Sequence, residues 1–440
     1  VEPASPYFPG ATFAKTDGVI GLNDITPRFG AAYDLFGNGK TALKVSLGKY
    51  LQGASVSNLA YGANPSLRIP GGGGGIFPPA VTRNWTDADL DYTPDCVLTN
   101  LQANGECTAA TPGNFGSTQL IGARYDDGLF SGWGVRPSDW SLNVSVQQEI
   151  LPRASIEASY HRRWFTMFTT GGTVTDNLLV APTDMAAMTF TAPSDPRLPG
   201  GGGYTVGPIY NLNPNVFGQV SNLILSTKDV GDDTRTFNGF DFQLNVRAVN
   251  GLTIQGGTST GKVENDWCAI RAAVPESYTL NPYCHVESPW QTTYRLLAAY
   301  TIPRIDLLVS SVYSDRYNVG GGTDQVGSLV ANYNLTAADQ AVLAAQIGRA
   351  LTPVLPTFTV NLLAPGQEYG PRVRTLDLSL KKIVRFSAQR LTFGVDMYNL
   401  ANSNHTLAFN PTFVPNSPGW QAPTSYLNPR VFRLNAEWAF

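Results

Sequence analysis

The chain closes on RVFRLNAEWAF, residues 430–440, where Phe432, Leu434, Ala436, Trp438 and Phe440 alternate with Arg433, Asn435 and Glu437. A β-strand sends successive side chains to opposite faces, so this segment carries one apolar, aromatic face and one polar, charged face. An amphipathic edge strand of a soluble sheet alternates in the same way. The aromatic finish fits better the last strand of an outer-membrane β-barrel, where apolar positions meet lipid, polar positions meet the lumen, and aromatics mark the water interface.

The composition agrees. Only 14% of the 440 residues are charged while 42% are hydrophobic, against roughly 25% charged residues in soluble domains. Part of the surface therefore faces something other than water. No apolar run approaches the roughly 18 residues of a membrane helix, and the mean hydropathy is -0.10. A barrel wall escapes that test because only every second residue touches lipid. The net charge of -3 gives no electrostatic case for nucleic acid. The opening VEPASPYFPG has neither the basic start nor the apolar centre of a secretory signal.

The alternation recurs along the chain. Phe29, Ala31 and Tyr33 lead through Gly37-Asn38-Gly39 to Leu43, Val45 and Leu47, the pattern of a β-hairpin with a tight turn. Trp140, Leu142, Val144 and Val146 precede Leu151-Pro152-Arg153, and Ile156, Ala158 and Tyr160 follow. Phe240, Phe242, Leu244 and Val246 lead into Asn250-Gly251; Leu296, Ala298 and Tyr300 lead into Ile302-Pro303-Arg304; Leu376, Leu378 and Leu380 lead into Arg385-Phe386-Ser387. With the closing segment this predicts about eleven strands, each near the roughly 9–11 residues that cross a bilayer.

Short turns near 38, 152, 250, 303 and 387 take turns with long Gly-, Pro- and Asn-rich segments at 52–138, 170–237, 262–290, 316–371 and 402–429. Short turns on one rim and long loops on the other are the arrangement of outer-membrane barrels, with periplasmic turns and extracellular loops. The expected fold is thus all-β: an antiparallel up-and-down transmembrane barrel forming a single domain over 1–440, with 1–24 as a further outer loop. Parity adds a step. The first strand (about 25–36) and the last (430–440) both run toward the periplasm, which puts the N-terminus outside and the C-terminus in the periplasm. Bacterial single-chain barrels have an even strand count, so an odd count implies missing chain.

Three segments carry a specific resemblance: ITPRFGAAYDLFGNGKTALKVSLGKY at 25–50, LDLSLKKIVRFSAQRLTFGVDMYNLAN at 376–402, and the closing RVFRLNAEWAF. They resemble the C-terminal barrel portion of TonB-dependent outer-membrane receptors, most closely the Oar-like branch that carries a carboxypeptidase-regulatory-like domain. The resemblance covers the strands and hardly the loops. It implies a plugged barrel of about 22 strands, of which this chain is half, and energy-coupled uptake of a scarce ligand. It further implies several partners: the absent N-terminal half and plug, a TonB-type energy-coupling protein acting through that plug, the outer-membrane assembly machinery, and lipids including lipopolysaccharide. The assembly machinery would read the aromatic last strand through Phe432, Leu434, Trp438 and Phe440. The alternatives are a self-contained porin and a small outer-membrane barrel enzyme. An enzyme would need a Ser, His and carboxylate meeting at the outer rim, and His161, His285 and His405 show no such spacing. No cofactor is expected.

Other motifs are weighed locally. Gly39-Lys40-Thr41 ends like a phosphate-binding loop, but Asp34 stands where its opening glycine belongs and no helix pattern follows. Cys96 lies near Cys107, and Cys268 near Cys284, each pair within one long loop. Proximity in an oxidising compartment favours these two disulfides among the three possible pairings. Asp87, Asp89 and Asp91, with Asp95 nearby, set carboxylates at every second residue as a calcium loop does. Tyr92 and Leu98 stand in place of that motif's glycine and bidentate glutamate, so a solvated acidic loop is the simpler reading. His161 beside Arg162 and Arg163 reads either as a satisfied barrel histidine or as part of a rim patch meeting lipopolysaccharide phosphates. The glycine tracts 71–75, 200–203 and 320–322 read as loop hinges. Thr336 with Asp339 predicts a capped helix over 337–350 that packs its own loop.

Overall fold

The computed structural model describes residues 21–53, 82–110, 123–168, 171–248, 251–352, 357–386 and 389–440. The glycine tract 71–75, the turn residues 249–250 and 387–388, and most of the expected loop 1–24 lie outside them. The wall strands are β1 (Arg28–Asp34), β2 (Thr41–Leu51), β3 (Ser138–Leu151), β4 (Ala154–Thr166), β5 (Thr234–Arg247), β6 (Leu252–Asp266), β7 (Gln291–Ile302), β8 (Leu307–Arg316), β9 (Val373–Phe386), β10 (Gln389–Tyr398) and β11 (Val431–Ala439). They pair in that order, each antiparallel to the next, as one path through a 12-stranded sheet whose remaining strand is the short His285–Glu287 beside β6. The protein is therefore all-β and up-and-down. Because the path holds an odd number of antiparallel strands, β1 and β11 run in the same direction, and among the described residues they do not pair with each other.

Register sorts the side chains into two faces that stay continuous across the wall. Val45 stands opposite Val144, Val144 opposite Tyr160, and Tyr160 opposite Phe240. Farther along, Leu378 stands opposite Met397 and Met397 opposite Phe432. Among the described residues no second layer covers this apolar face: Phe242 is 48% exposed, Phe393 51% and Leu434 79%. An uncovered apolar surface of this extent needs a partner or a non-aqueous medium. The opposite face reads Lys44, Ser145, Ser159, Asp241, Ser259 and Thr293 along one row.

Several wall strands outrun their expected ends. β6 reaches Asp266, where a loop was expected from 262, and β5 begins at Thr234 rather than near 238. Their overhang, Gly-Lys-Val-Glu-Asn-Asp against Thr-Arg-Thr-Phe-Asn, is largely polar on both faces, so backbone pairing continues where hydrophobic alternation has stopped. The turn after Ile302 runs over 303–306, longer than the expected Ile302-Pro303-Arg304.

The long connections at 170–237, 262–290, 316–371 and 402–429, at the rim opposite the short turns, are not open loops over their described residues. Met188, Phe190 and Ile209 from 170–237 join Tyr333, Leu343, Val360 and Leu362 from 316–371 and Phe413 and Trp420 from 402–429 in one buried cluster. Met185–Thr191 pairs with Thr205–Leu212, and Asn332–Asn334 bridges Thr359–Asn361 and Thr412–Phe413. A second cluster gathers Val174, Trp267, Ile270, Val274, Val286 and Val326. The main buried core of the chain therefore lies in its connections, because a one-layer wall has no second layer to bury against.

The helix spans Ala337–Ile347 and not 337–350. Thr336 and Asp339 form the capping box at its start, and Gly348 ends it in a left-handed conformation that glycine adopts without strain. Its fully buried Leu343 packs into the larger cluster, and Gln346 bonds both backbone groups of Thr189. A second helix, Cys268–Ala273, is as rich in Ala as the first, but at six residues it is too short for its pattern to stand out in the sequence.

Candidate functional site

Two regions gather chemistry: the polar face of the wall and the cap built by the long connections. On the polar face, charged groups are matched across strands. Lys44 Nζ lies 3.3 Å from Glu157 Oε2 and donates to Gln147 Oε1 at 2.6 Å. Arg163 lies 2.7 Å from Asp139, and Arg433 2.7 Å from Asp396, whose carboxylate also accepts from Ser379 and Asn435. His161 Nε2 lies 2.8 Å from Asp241 Oδ2, while Asn143 Nδ2 lies 2.9 Å from His161 Nδ1. A proton on Nε2 with Nδ1 accepting satisfies both contacts. His161 is thus a bonded wall residue. Arg162, its sequence neighbour, points the other way because strand residues alternate.

At the centre of this face Gly257 leaves a shallow hollow of about 820 Å³, lined by Asp241, Gln243, Asn245, Gln255, Arg295 and Ser314. A Cβ on Gly257 would come within 2.0 Å of the Phe242 carbonyl oxygen, so the close strand approach there requires glycine. The hollow presents amides, hydroxyls, one carboxylate and the two guanidiniums of Arg295 and Arg316, a surface for hydrogen bonding.

The cap has its own cleft of about 240 Å³, between Trp267, Tyr283, Asp324, Gln325, Asn361 and Pro365. Cys268 and Cys284 are bonded beside it, with a Cα–Cα distance of 4.9 Å, and the backbone N–H of Trp267 donates to the Cys284 carbonyl at 3.0 Å. Burial pushes the Tyr283 hydroxyl well above the usual tyrosine range, and it donates to the Leu362 carbonyl at 3.2 Å. Another latch lies in the larger cluster. The Asp195 carboxylate is almost fully buried and sits 2.6 Å from Arg197 Nη2, and it also accepts from the Asn416 N–H at 3.2 Å. Arg197 lies over Phe413 and Trp420 and donates to the Val414 carbonyl. Its guanidinium holds the Asp195 carboxyl well below the usual carboxylate range.

The acidic stretch is rearranged relative to its spacing. Asp87, Asp89 and Glu106 bring oxygens within 4.8 Å of one another, whereas Asp91 turns away and accepts from the Thr93 N–H at 2.7 Å. Glu106 enters because Cys107 is bonded to Cys96, at a Cα–Cα distance of 5.8 Å, which folds 106 back onto 87–95. The Glu106 carboxylate accepts from Ala88 and Asp95 N–H groups. All of these acids are exposed or half-exposed, and like-charged neighbours Asp89 and Asp91 raise the Asp95 carboxyl. The cluster explains a tight turn and assigns no ion. The closing residues Phe432, Leu434, Trp438 and Phe440 all stand exposed on the apolar side of β11 and its end, with Trp438 and Phe440 rings 5.9 Å apart.

Sequence reasoning missed Glu106, the Asp195–Arg197 latch and the aromatic pair over it. Asp-Pro-Arg is a local signal for the ion pair alone; Phe413 and Trp420 arrive from more than two hundred positions away.

A scan against protein-family models and a search of curated proteins both return no match. Solved structures do show similarity. The outer membrane transporter YddB from Escherichia coli is 11% identical with a TM-score of 0.43, over 93% of this chain and 40% of that one. The ferripyoverdine receptor of the outer membrane of Pseudomonas aeruginosa bound to ferripyoverdine is 10% identical with a TM-score of 0.39, over 93% and 32%. The FpvAI–pyocin S2 complex gives 10%, 0.41, 93% and 33%. The chain thus spans well under half the length of the structures it matches. At this identity no residue role transfers.

Proposed function

We propose that the chain is the C-terminal half of the wall, with its external loops, of a TonB-dependent outer-membrane receptor that takes up a scarce ligand with coupled energy. The observation that carries this reading is the sheet itself: an odd path of long antiparallel strands, apolar on one face and polar on the other, with two edges running the same way. Such edges cannot seal to each other by an antiparallel ladder. In hydrocarbon each unpaired backbone group costs several kcal/mol, so both edges call for further strands, as in a barrel of about 22.

In this reading the apolar face meets lipid, the polar face lines a lumen that a plug fills, the short turns are periplasmic, and the cap faces outward. The cap cleft beside Trp267 and Tyr283 then offers aromatic and amide contacts to a ligand entering from outside. The closing aromatics serve as the signal for the assembly machinery. The Oar-like branch would be recognised by a carboxypeptidase-regulatory-like domain ahead of the plug.

Planar-bilayer recording tests the half-wall. The chain alone should give no stable, uniform conductance; a reproducible sealed pore would overturn the reading and promote a self-contained porin. For the full-length receptor, uptake should vanish in a strain lacking the energy-coupling protein. Deleting Phe440 from that receptor should lower its amount in the outer membrane several-fold, read as the heat-modifiable band. Unchanged levels would leave Phe440 with a packing role only.

A further inference from the structure

We propose that the hollow over Gly257 is a binding subsite for an acidic sugar, whose carboxylate or phosphate Arg295 and Arg316 hold while Gln243, Asn245 and Gln255 bond its hydroxyls. The inference rests on the receptor reading above and names the chemical class of the ligand.

Register builds the hollow from four strands. Gln243 on β5 faces Gly257 on β6, Gly257 faces Arg295 on β7, and Arg295 faces Ser314 on β8. Because Gly257 has no side chain, this row opens between an amide and a guanidinium. One step toward the short turns, Asn245 faces Gln255, which faces Leu297. One step toward the long-loop rim, Ser259 faces Thr293, and Arg316 shares the face of Ser314 at the end of β8. Arg316 is therefore the diagonal neighbour of Arg295, with Cα atoms about 7–8 Å apart. The cations lie on the rim side of the hollow, and Asn245 and Gln255 lie on the turn side.

On either side of this hollow the polar face is bonded within itself. Lys44 has Glu157, Asn143 has His161, and Arg433 and Asn435 share Asp396. Inside it, among the described residues, the side chains of Arg295, Arg316, Gln243, Asn245 and Gln255 make no hydrogen bond or ion pair. The carboxylate that lines it, Asp241, is engaged by His161. It also stands three strands from Arg316, about 14 Å away at ordinary strand spacing.

Two guanidiniums this close repel each other until an anion lies between them, and each can hold a carboxylate or phosphate through paired N–H bonds. The amides, with the hydroxyls of Ser259, Thr293 and Ser314, supply donors and acceptors together, the complement of a ring carrying several hydroxyls. An inorganic ion would use the guanidiniums and leave the amides without a partner. At about 820 Å³ the hollow has the size of a small-molecule site and accepts one or two sugar rings.

The test titrates full-length receptor in detergent at low salt with digalacturonate, glucose 6-phosphate and neutral galactobiose, with binding read by calorimetry. At least one charged sugar should bind tenfold or more tightly than galactobiose, and the pair distinguishes carboxylate from phosphate. Arg295→Gln with Arg316→Gln should weaken that binding about tenfold and remove the preference, the loss expected for charge-assisted hydrogen bonds. Arg295→Lys with Arg316→Lys should keep part of it. Gln255→Ala should weaken charged and neutral sugars alike, and Arg247→Gln, on the same face beyond the hollow, should change nothing. Heat-modifiable migration checks that each variant keeps its barrel. No preference for a charged sugar, or a preference that survives in the double glutamine variant, overturns the site. So does a double variant that keeps its sugar binding and exposes the plug to protease, which gives both arginines to the plug. Membrane fractionation separates the two ideas: a receptor found in the outer membrane without the preference sinks this inference alone, whereas absence from that membrane sinks the functional reading.

Discussion

On the function proposed above, arginine at Phe242 should destabilise the full-length barrel in lipid by about 2–4 kcal/mol, while arginine at the adjacent Gln243 should cost under about 1 kcal/mol. The two positions share β5 and differ only in face. Phe242 stands opposite Ala158 on the apolar side, and Gln243 stands opposite Glu157 on the polar side. A guanidinium at the first position must leave water for hydrocarbon; at the second it meets a carboxylate across the strand and the polar hollow. Urea unfolding of barrels reconstituted in vesicles, followed by heat-modifiable migration, measures the difference. Equal costs for the two variants would remove the membrane assignment.

Asp195→Asn should loosen the cap without touching the wall. The Asp195 side chain is 1% exposed and Arg197 31%, so the variant leaves a half-buried guanidinium without its counter-charge, at a local cost of about 3 kcal/mol. Hydrogen exchange should quicken at 410–420, which Asn416 ties to Asp195, and stay unchanged in β3 to β5. The pH dependence follows in sign. The Asp195 carboxyl is held down chiefly by its bonds to Arg197, so its folded value lies below the ordinary one of about 3.9. The stabilisation is present in full above that ordinary value and fades as pH falls toward the folded one. Wild-type exchange at 410–420 should therefore quicken on acidification below about pH 4, and the Asn variant should lack that step. A step of the same size in both proteins would assign it to other groups.

The strands were legible because a one-layer wall with one apolar and one polar face imposes a period of two, and the wall strands between Phe29 and Trp438 obey it. Grouping by sequence proximity was less safe. His161, Arg162 and Arg163 are neighbours in sequence and do not form one patch: His161 and Arg163 share the polar face, and Arg162 stands on the apolar face opposite Leu142 and Asn238. Asp91 fits the calcium-like spacing but not the cluster, since a disulfide brings in Glu106 instead.

The sequence by itself determined the wall: the number of strands, which residues share a face, and where short turns alternate with long connections. These depend on local period and turn chemistry, which every segment states on its own. Only the tertiary structure decided what the long connections do. Ile209, Leu343, Phe413 and Trp420 show no regular period, and each contributes one apolar side chain to a cluster spread over three connections. That cluster forms because loops confined to one rim are held close together, and burying scattered apolar groups against one another is favourable wherever the wall leaves them in water.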